Sequence, residues 1–297
     1  MEEELRRAAF GDSPDRDVWG ALSSSSSRVR WLAAVVLGGQ GHYAAAATVL
    51  DALRHDPDSV IASLSLSTRA SHHRQLGGHV AARALDGLAL ARVRTAAGGD
   101  PDGIDARGAW TDALLGLAAD SLGAQRLDEA RRLLARVETD SWRSEVRRGW
   151  VTAEIELASG QAHAAVAPAE HAYGVATSRK ALRHELKSAL VLGTSLVVWG
   201  TPDGLNRGVE LVECELNHSA EKRLHPLIWP SALVLAGHAP TMGAVAIDRA
   251  TEALSCVLRR ADPVSRQVAL DSPWVPSGLL RSGEPPNADP QTNFLTD

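Results

Sequence analysis

The chain has 297 residues, 44% hydrophobic and 23% charged, which is enough for the core of one elongated domain or of two compact ones. The net charge of −5 excludes a general attraction to nucleic acid or to an anionic membrane. Arginine provides nearly all of the positive charge and alanine is abundant, a bias typical of a GC-rich bacterial genome and favourable to helices.

Three features of the sequence predict a cytoplasmic protein. The chain begins with Met1 and three glutamates, and no apolar segment follows, which argues against a signal peptide. The longest apolar runs, such as Trp31 to Leu37, are far shorter than the ~20 residues needed to span a membrane. Cys214 and Cys256 do not provide a disulfide framework, and they fit a reducing compartment as small apolar residues.

The first segment, residues 1–27, is expected to be partly helical or flexible. It ends in the polar run Ser23 to Ser27, directly before the apolar residues Val29 and Trp31. Because a serine side chain accepts hydrogen bonds from the first N–H groups of a helix, the last serine of the run is placed to cap the first repeat helix.

Between residues 28 and 215, five similar units each combine a turn, apolar residues at helical spacing and a small residue three positions after the turn. The turn residues are Tyr43, His79, Leu127, Ala162 and Leu205. The small residues are Ala46, Ala82, Ala130, Ala165 and Gly208. Two antiparallel helices that cross just after a short turn leave no room for a long side chain at that position. The pattern therefore predicts a series of helix–turn–helix repeats.

The clearest unit runs from Gln40 to Ala47, with a Gly-His-Tyr turn, and closes at Pro57. With its weaker copies it resembles the tetratricopeptide-repeat superfamily, and two of the four turn spacings lie close to that family's period of about 34 residues. The resemblance implies an all-α fold, a right-handed α-solenoid of about five to six repeats whose first helices line a concave groove. Two features depart from it: the closing proline occurs only in the first unit, and Asp86 stands where the family has an apolar residue.

A lengthened connection and a last helix pair complete the repeat region. Residues 96–103 are rich in Gly and Asp and predict a loop, which accounts for the long second spacing. A sixth helix pair is predicted from about Leu224 to Arg260, with its turn at Gly237 to Gly243. The predicted repeat domain therefore covers residues 28–262.

The C-terminal segment, residues 263–297, is rich in Pro, Ser and Asn. This composition predicts a disordered tail, because it offers too little apolar surface to offset the entropy of ordering. Trp274 and the pair Leu279-Leu280 are the residues of the tail that are able to dock onto the end of the solenoid as a short cap.

The first helix of the second repeat is almost wholly polar, unlike its neighbours. Counted back from Ala82, the positions that face the groove in the resembled family are Ser67, Thr68, Ser71, Arg74 and Gln75. Their separations also place them on one helical face, which we call the polar stripe. The equivalent positions of the first and third repeats are apolar or glycine, so the stripe has the layout of a pocket in which polar groups orient a ligand. It suits a carboxylate or an extended peptide backbone, with Arg74 as the anion contact, and the alternative is a solvated helix face.

The same count adds three groove candidates on other repeats: Trp31 in the first, and Trp150 and Glu154 in the fourth. Asp86 is a separate case, because its helix position points into the core, where an unpaired carboxylate is costly. Arg69, His72 and His73 lie one helix earlier and within reach. We therefore predict a buried pair that fixes helix register, with a functional site as the alternative.

Neither a metal site nor a catalytic site is expected. His72 and His79 are about 10 Å apart along a helix, too far for one metal ion, and no HExxH pattern occurs. The chain also lacks GxSxG, a P-loop and GxGxxG. The sequence therefore predicts a non-enzymatic protein without cofactors or metals.

The predicted function is that of an interaction module that holds a peptide or protein segment in its concave groove, with no nucleic acid or membrane partner. The alternative is a sensing domain whose superhelix tightens around a small ligand or signalling peptide and which acts with an output domain on another chain. A third possibility is self-association through exposed apolar ends of the solenoid.

Overall fold

The computed structural model describes residues 1–94, 98–239 and 243–280, and within these ranges the chain is helical and contains no strand. This confirms the all-α prediction. The chain begins with α1 (Glu2–Phe10) and a 3-10 turn (Trp19–Ser23). None of the helices in these ranges combines the length and the apolar character that crossing a membrane requires.

The middle of the chain forms successive helix pairs, each joined by a short turn. The first helices of the pairs are α2 (Ser27–Gly39), α4 (Ser59–Arg74), α6 (Ala106–Gly123), α8 (Trp142–Ala158), α10 (Leu182–Trp199) and α12 (His225–His238). The second helices are α3 (Tyr43–Leu53), α5 (His79–Arg92), α7 (Leu127–Leu134), α9 (Ala162–Ser178), α11 (Pro202–Glu221) and α13 (Gly243–Arg259). Each first helix packs against the first helix of the next pair, so we call these the inner helices and their partners the outer helices.

The turns lie where the sequence pattern placed them, with one exception. The first four outer helices begin at the predicted turn residues, and Ala46, Ala82, Ala130 and Ala165 are fully buried. The fifth outer helix begins three residues early, at Pro202, because Thr201 caps it and proline suits a first helical position. Gly208 still lies at a close crossing, since a Cβ atom added there would be 2.9 Å from the carbonyl oxygen of Gly193. The cap of α2 is Ser26, one residue before the predicted serine.

The first and last pairs contact each other directly. The backbone N–H of Ala44 donates to the carbonyl of Arg260 over 2.8 Å, and Tyr43 belongs to an apolar cluster that contains residues of α10 to α13. Gly41 has a φ of 86°, and a Cβ atom at this residue would lie 3.2 Å from Val257 Cγ2. The described helices therefore close into a ring, whereas the repeat pattern alone predicts an open array.

Helix α1 covers one end of this ring. Its buried face, which includes Leu5 and Phe10, belongs to an apolar cluster that also contains residues of the inner helices α2, α4, α6 and α8. Arg6 forms ion pairs with Asp100 (2.7 Å) and Asp102 (2.8 Å) in the loop before α6. The Gly11 carbonyl then accepts a hydrogen bond from the N–H of Leu182 at the start of α10. Helix α1 is thus held to the repeat region along its length.

The segment after residue 262 differs from its predicted disorder. Residues 263–280 form α14 (Pro263–Leu270) and α15 (Ser277–Leu280), and α14 packs against α4. The Trp274 indole donates to the Gly123 carbonyl over 3.2 Å at the C-terminal end of α6. This segment therefore covers the end of the ring opposite α1, and Trp274 docks at the end of the repeat region as the sequence allowed. Composition predicted disorder instead because the apolar residues that order the segment are few and widely spaced. Residues 281–297 of the predicted tail, and parts of the predicted loop and of the sixth turn, lie outside the described residues.

Candidate functional site

The polar stripe of α4 lies on the inner-helix surface and takes part in contacts between inner helices. Thr68, Ser71, Arg74 and Gln75 keep partial exposure, whereas Ser67 is buried. The indole of Trp31 donates to Thr68 Oγ1 over 3.0 Å, and the hydroxyl of Tyr43 donates to Gln75 Oε1 over 3.0 Å. The Gln75 amide in turn donates to Ser71 Oγ. Each of these groups is preorganised by a neighbour, and three of them remain accessible besides Arg74.

The groove candidates on the other inner helices lie on the same surface. Trp150 is partly exposed and donates from its indole to Ser188 Oγ over 2.7 Å. Glu154, one turn later, forms an ion pair with Lys187 over 3.2 Å. Trp31 is only 2% exposed, so it does not contact a ligand itself but holds Thr68 in place through its indole hydrogen bond. The structure therefore brings the α4 and α8 candidates to the inner surface, with α10 beside α8.

Arg74 is already engaged by two buried carboxylates, which argues against the predicted anion contact. Its guanidinium donates to Asp86 Oδ2 at 3.1 Å, to Asp120 and to the Gly116 carbonyl. Both aspartates have fully buried side chains. Gly116 is required for this contact, because a Cβ atom there would lie 2.1 Å from Asp86 Oδ2.

The buried carboxylate of Asp86 has a partner other than the predicted ones. The pair is made with Arg74, whereas Arg69 bonds to Asp262 and Ser265 at the ring closure, each over 3.0 Å. His72 is stacked on Tyr43 with ring centroids 4.8 Å apart. Burial raises the pKa of Asp86 to about 7 against the opposing effect of Arg74. The sequence could not distinguish these arginines, because α4 carries both within two turns.

Three arginines that the sequence analysis did not select complete the inner surface. Arg143 and Arg147 of α8 both form ion pairs with the buried Asp112 of α6. Arg183 of α10 is partly exposed, and no described carboxylate or carbonyl pairs with it. Burial, together with Arg143 and Arg147, lowers the pKa of Arg183 to about 10. Arg143, Arg147 and Trp150 are spaced by four and three residues, so the α8 face was readable from the sequence; the position of Arg183 was not.

A cluster of aromatic side chains lies beside these arginines. His184 is 3% exposed, stacks on Trp150 with centroids 5.7 Å apart, and meets Trp142 edge-on at 5.0 Å. Burial first, and then the three neighbouring guanidinium groups, hold the pKa of His184 well below its usual value. The imidazole is therefore neutral at pH 7, and its buried Nδ1 atom has no hydrogen-bond partner.

These buried histidines give a pH dependence whose sign follows from linkage. Burial lowers the pKa of His72 to about 3 and of His73 to about 4, and His184 shifts in the same direction, so below pH 6.5 the unfolded chain binds more protons at these sites. Burial raises the pKa of Asp86 and Glu215 to about 7, which has the opposite effect. Three sites outweigh two, and burial also lowers the pKa values of His42 and His225, which adds to the effect of the three. We expect the free energy of unfolding to fall from pH 6.5 to 4.5, by about 1.4 kcal/mol per pH unit for each uncompensated proton.

Urea unfolding at pH 6.5, 5.5 and 4.5 measures this dependence. The variant His73→Gln removes one of the three buried imidazoles, so its stability should depend less steeply on pH than that of the wild type. His55→Gln changes an exposed histidine and is the matched control. An equal slope in all three proteins would contradict the assignment.

The described residues do not bring together three or more His, Cys, Asp or Glu side chains as a metal site. Comparison with known proteins gives no match: no protein-family model, no curated protein and no solved structure is significantly similar to the chain. The chemistry of the site therefore has to be inferred from its own side chains. They offer hydrogen-bond donors and acceptors, an indole face and guanidinium groups, which are the means of non-covalent recognition.

Proposed function

We propose that the chain is a non-enzymatic, tetratricopeptide-like interaction module, a right-handed series of helix pairs that binds an extended protein or peptide segment on its inner-helix surface. The observation that carries this proposal is the accessible mixture of groups on that surface. Thr68, Ser71 and Gln75 of α4 remain partly exposed, as do Trp150 and Glu154 of α8. Preoriented polar groups next to an indole suit a peptide, because they bind backbone amides while the indole takes an apolar side chain.

Helix α1 supports the proposal as an internal example of a bound segment. Phe10 lies 6.1 Å from the rings of both Trp31 and His184, and the Arg143 guanidinium lies 5.2 Å above its ring. The surface that α1 covers thus combines aromatic and cationic groups, and it binds a short apolar segment. A partner segment is expected to enter at this end and to compete with α1.

A steric variant tests this function. Ser71→Trp fills the inner surface, whereas Thr177→Trp adds the same side chain to an exposed position of α9. Affinity capture from a lysate of the source organism, with quantitative mass spectrometry, should recover a partner with the wild type and with Thr177→Trp. The partner should be lost with Ser71→Trp, provided that this variant keeps its thermal unfolding midpoint. A partner captured equally by all three proteins places binding elsewhere, and capture of nothing by the wild type contradicts the proposal.

One observation favours the alternative of a sensing domain. Tyr43 belongs to the apolar cluster of the ring closure, and its hydroxyl donates to Gln75 of the polar stripe. A ligand that displaces this hydroxyl acts directly on the closure between the first and last pairs. Small-angle scattering separates the two functions, because a sensor predicts a ligand-dependent change in the radius of gyration that Tyr43→Phe reduces. A simple interaction module predicts no such change.

A further inference from the structure

Four arginines converge on the inner surface from three different helices. Arg74 comes from α4, Arg143 and Arg147 from α8, and Arg183 from α10. Their electrostatic effects overlap: the pKa of Arg147 is lowered by burial and responds to both Arg143 and Arg74, and that of Arg183 responds to Arg143 and Arg147. They therefore act as one cationic cluster.

The carboxylates in this cluster do not balance the arginines. Asp86 and Asp120 pair with Arg74, and Asp112 is shared by two guanidinium groups of α8. Four arginines thus face three aspartates. The arginine cluster therefore carries one positive charge in excess, in a chain whose net charge is −5.

The excess charge is located at Arg183. Its side chain crosses Gly39 of α2, where an added Cβ atom would lie 2.9 Å from Arg183 Cδ. The missing side chain of Gly39 thus provides the space for the arginine stem. Two like charges, Arg143 and Arg147, lie near enough to lower its pKa. Holding a third guanidinium against two others without a carboxylate is unfavourable, and it is relieved when an anion binds.

Arg147 has capacity for a ligand beside Arg183. It is 19% exposed and reaches Asp112 through Nη1, which leaves other N–H groups of its planar fork as donors. Trp150, one turn after Arg147, stacks on His184 and donates to Ser188, so the segments of α8 and α10 that carry Arg147 and Arg183 lie side by side. A group of tetrahedral shape with several oxygens matches two guanidinium forks.

We propose that Arg183 and Arg147 form a binding site for a small oxyanion, with phosphate as the reference ligand. The site lies on the inner surface but does not depend on the binding of a peptide there. The anion neutralises the excess charge of the arginine cluster and joins α8 to α10.

Thermal unfolding and isothermal titration calorimetry of the full chain test the site with inorganic phosphate. Sodium chloride at equal ionic strength is the reference, and sodium succinate and sodium acetate are the two other arms. Phosphate should raise the unfolding midpoint of the wild type above its value in chloride. A response to succinate as well would show that the site also accepts dicarboxylates. An acetate response of the same size as the phosphate response would contradict the proposal, because it would show that a single carboxylate group is enough.

The matched variants are Arg183→Met and Arg179→Met, the latter at an exposed position near the end of α9. Arg183→Met should weaken phosphate binding by roughly tenfold to a hundredfold, the effect of losing charge-assisted hydrogen bonds. It should also raise the unfolding midpoint in chloride, because an uncompensated charge is removed. Arg179→Met should behave as the wild type. The proposal is overturned if phosphate and chloride act alike on the wild type, or if Arg183→Met still responds to phosphate as the wild type does.

Discussion

Replacement of Arg74 by methionine is expected to lower the free energy of unfolding by about 3–5 kcal/mol, the cost of leaving buried charges without their partner. Asp86 and Asp120 both have fully buried side chains, and Arg74 is the guanidinium that bridges them. Urea denaturation at pH 7.5 measures the loss. The control is Arg83→Met: its ion pair with Glu129 is partly exposed, and losing it should cost no more than about 1 kcal/mol.

Two further measurements separate charge from packing as the cause of this loss. The triple variant Arg74→Met, Asp86→Asn, Asp120→Asn removes the uncompensated carboxylates, so it should be more stable than Arg74→Met alone. The deficit of Arg74→Met should also be smaller at pH 5 than at pH 7.5, because protonation of Asp86, whose pKa burial already raises to about 7, removes one of the buried charges. If the triple variant is no more stable than the single one, lost packing rather than charge explains the effect.

Replacement of Phe10 by alanine is expected to release α1 from the end of the ring. Deletion of a buried phenylalanine side chain costs about 3–5 kcal/mol. Phe10 is 6% exposed and lies against Trp31, His184 and Arg143, so its loss removes the main apolar contact of the helix. Hydrogen exchange of the amides in residues 5–10 measures the release directly, because a local opening exposes these groups while the repeat helices stay protected.

The exposed Val80, which is 84% accessible on α5, provides the control for this prediction. Val80→Ala should change stability by no more than about 0.5 kcal/mol and leave the exchange of α1 unchanged. If the α1 amides of Phe10→Ala stay as protected as in the wild type, the ion pairs of Arg6, and not the aromatic contacts of Phe10, hold the helix. If α1 competes with a partner as proposed, the same variant should capture more of that partner than the wild type does.

The helix pairs could be predicted from the sequence because their determinants are local. A turn followed by a small residue specifies a close helix crossing within one unit, and the first four of the six outer helices begin at the predicted residue. Contacts between distant parts of the chain carried no such signal. The hydrogen bond from Ala44 to Arg260 joins residues at the two ends of the repeat region, and neither residue type predicts it.

For the candidate site, the sequence predicts which helix faces point inward but not which side chains pair across helices. Helical spacing identified the inward side of α4, and Thr68, Ser71 and Gln75 do lie on the inner surface. Which arginine is free depends on which carboxylates reach it across helices. Arg74 meets Asp86 and Asp120 from two neighbouring helices, whereas Arg183 meets none that is described. Pairings of this kind follow from the assembled fold and are not encoded in spacing along one helix.

The contact between the first and last helix pairs also has a consequence during protein synthesis. A linear array of repeats folds unit by unit as it leaves the ribosome, because each unit contacts only its neighbours. Here Tyr43 of the first pair shares an apolar cluster with residues of α12 and α13, and the N–H of Ala44 has its hydrogen-bond acceptor, the carbonyl of Arg260, only once the last pair is made. The side of the first pair that these elements cover stays exposed until more than 200 further residues have been made. At about 5–20 residues per second, this takes on the order of 10–40 s, an interval in which a chaperone has access to the nascent chain.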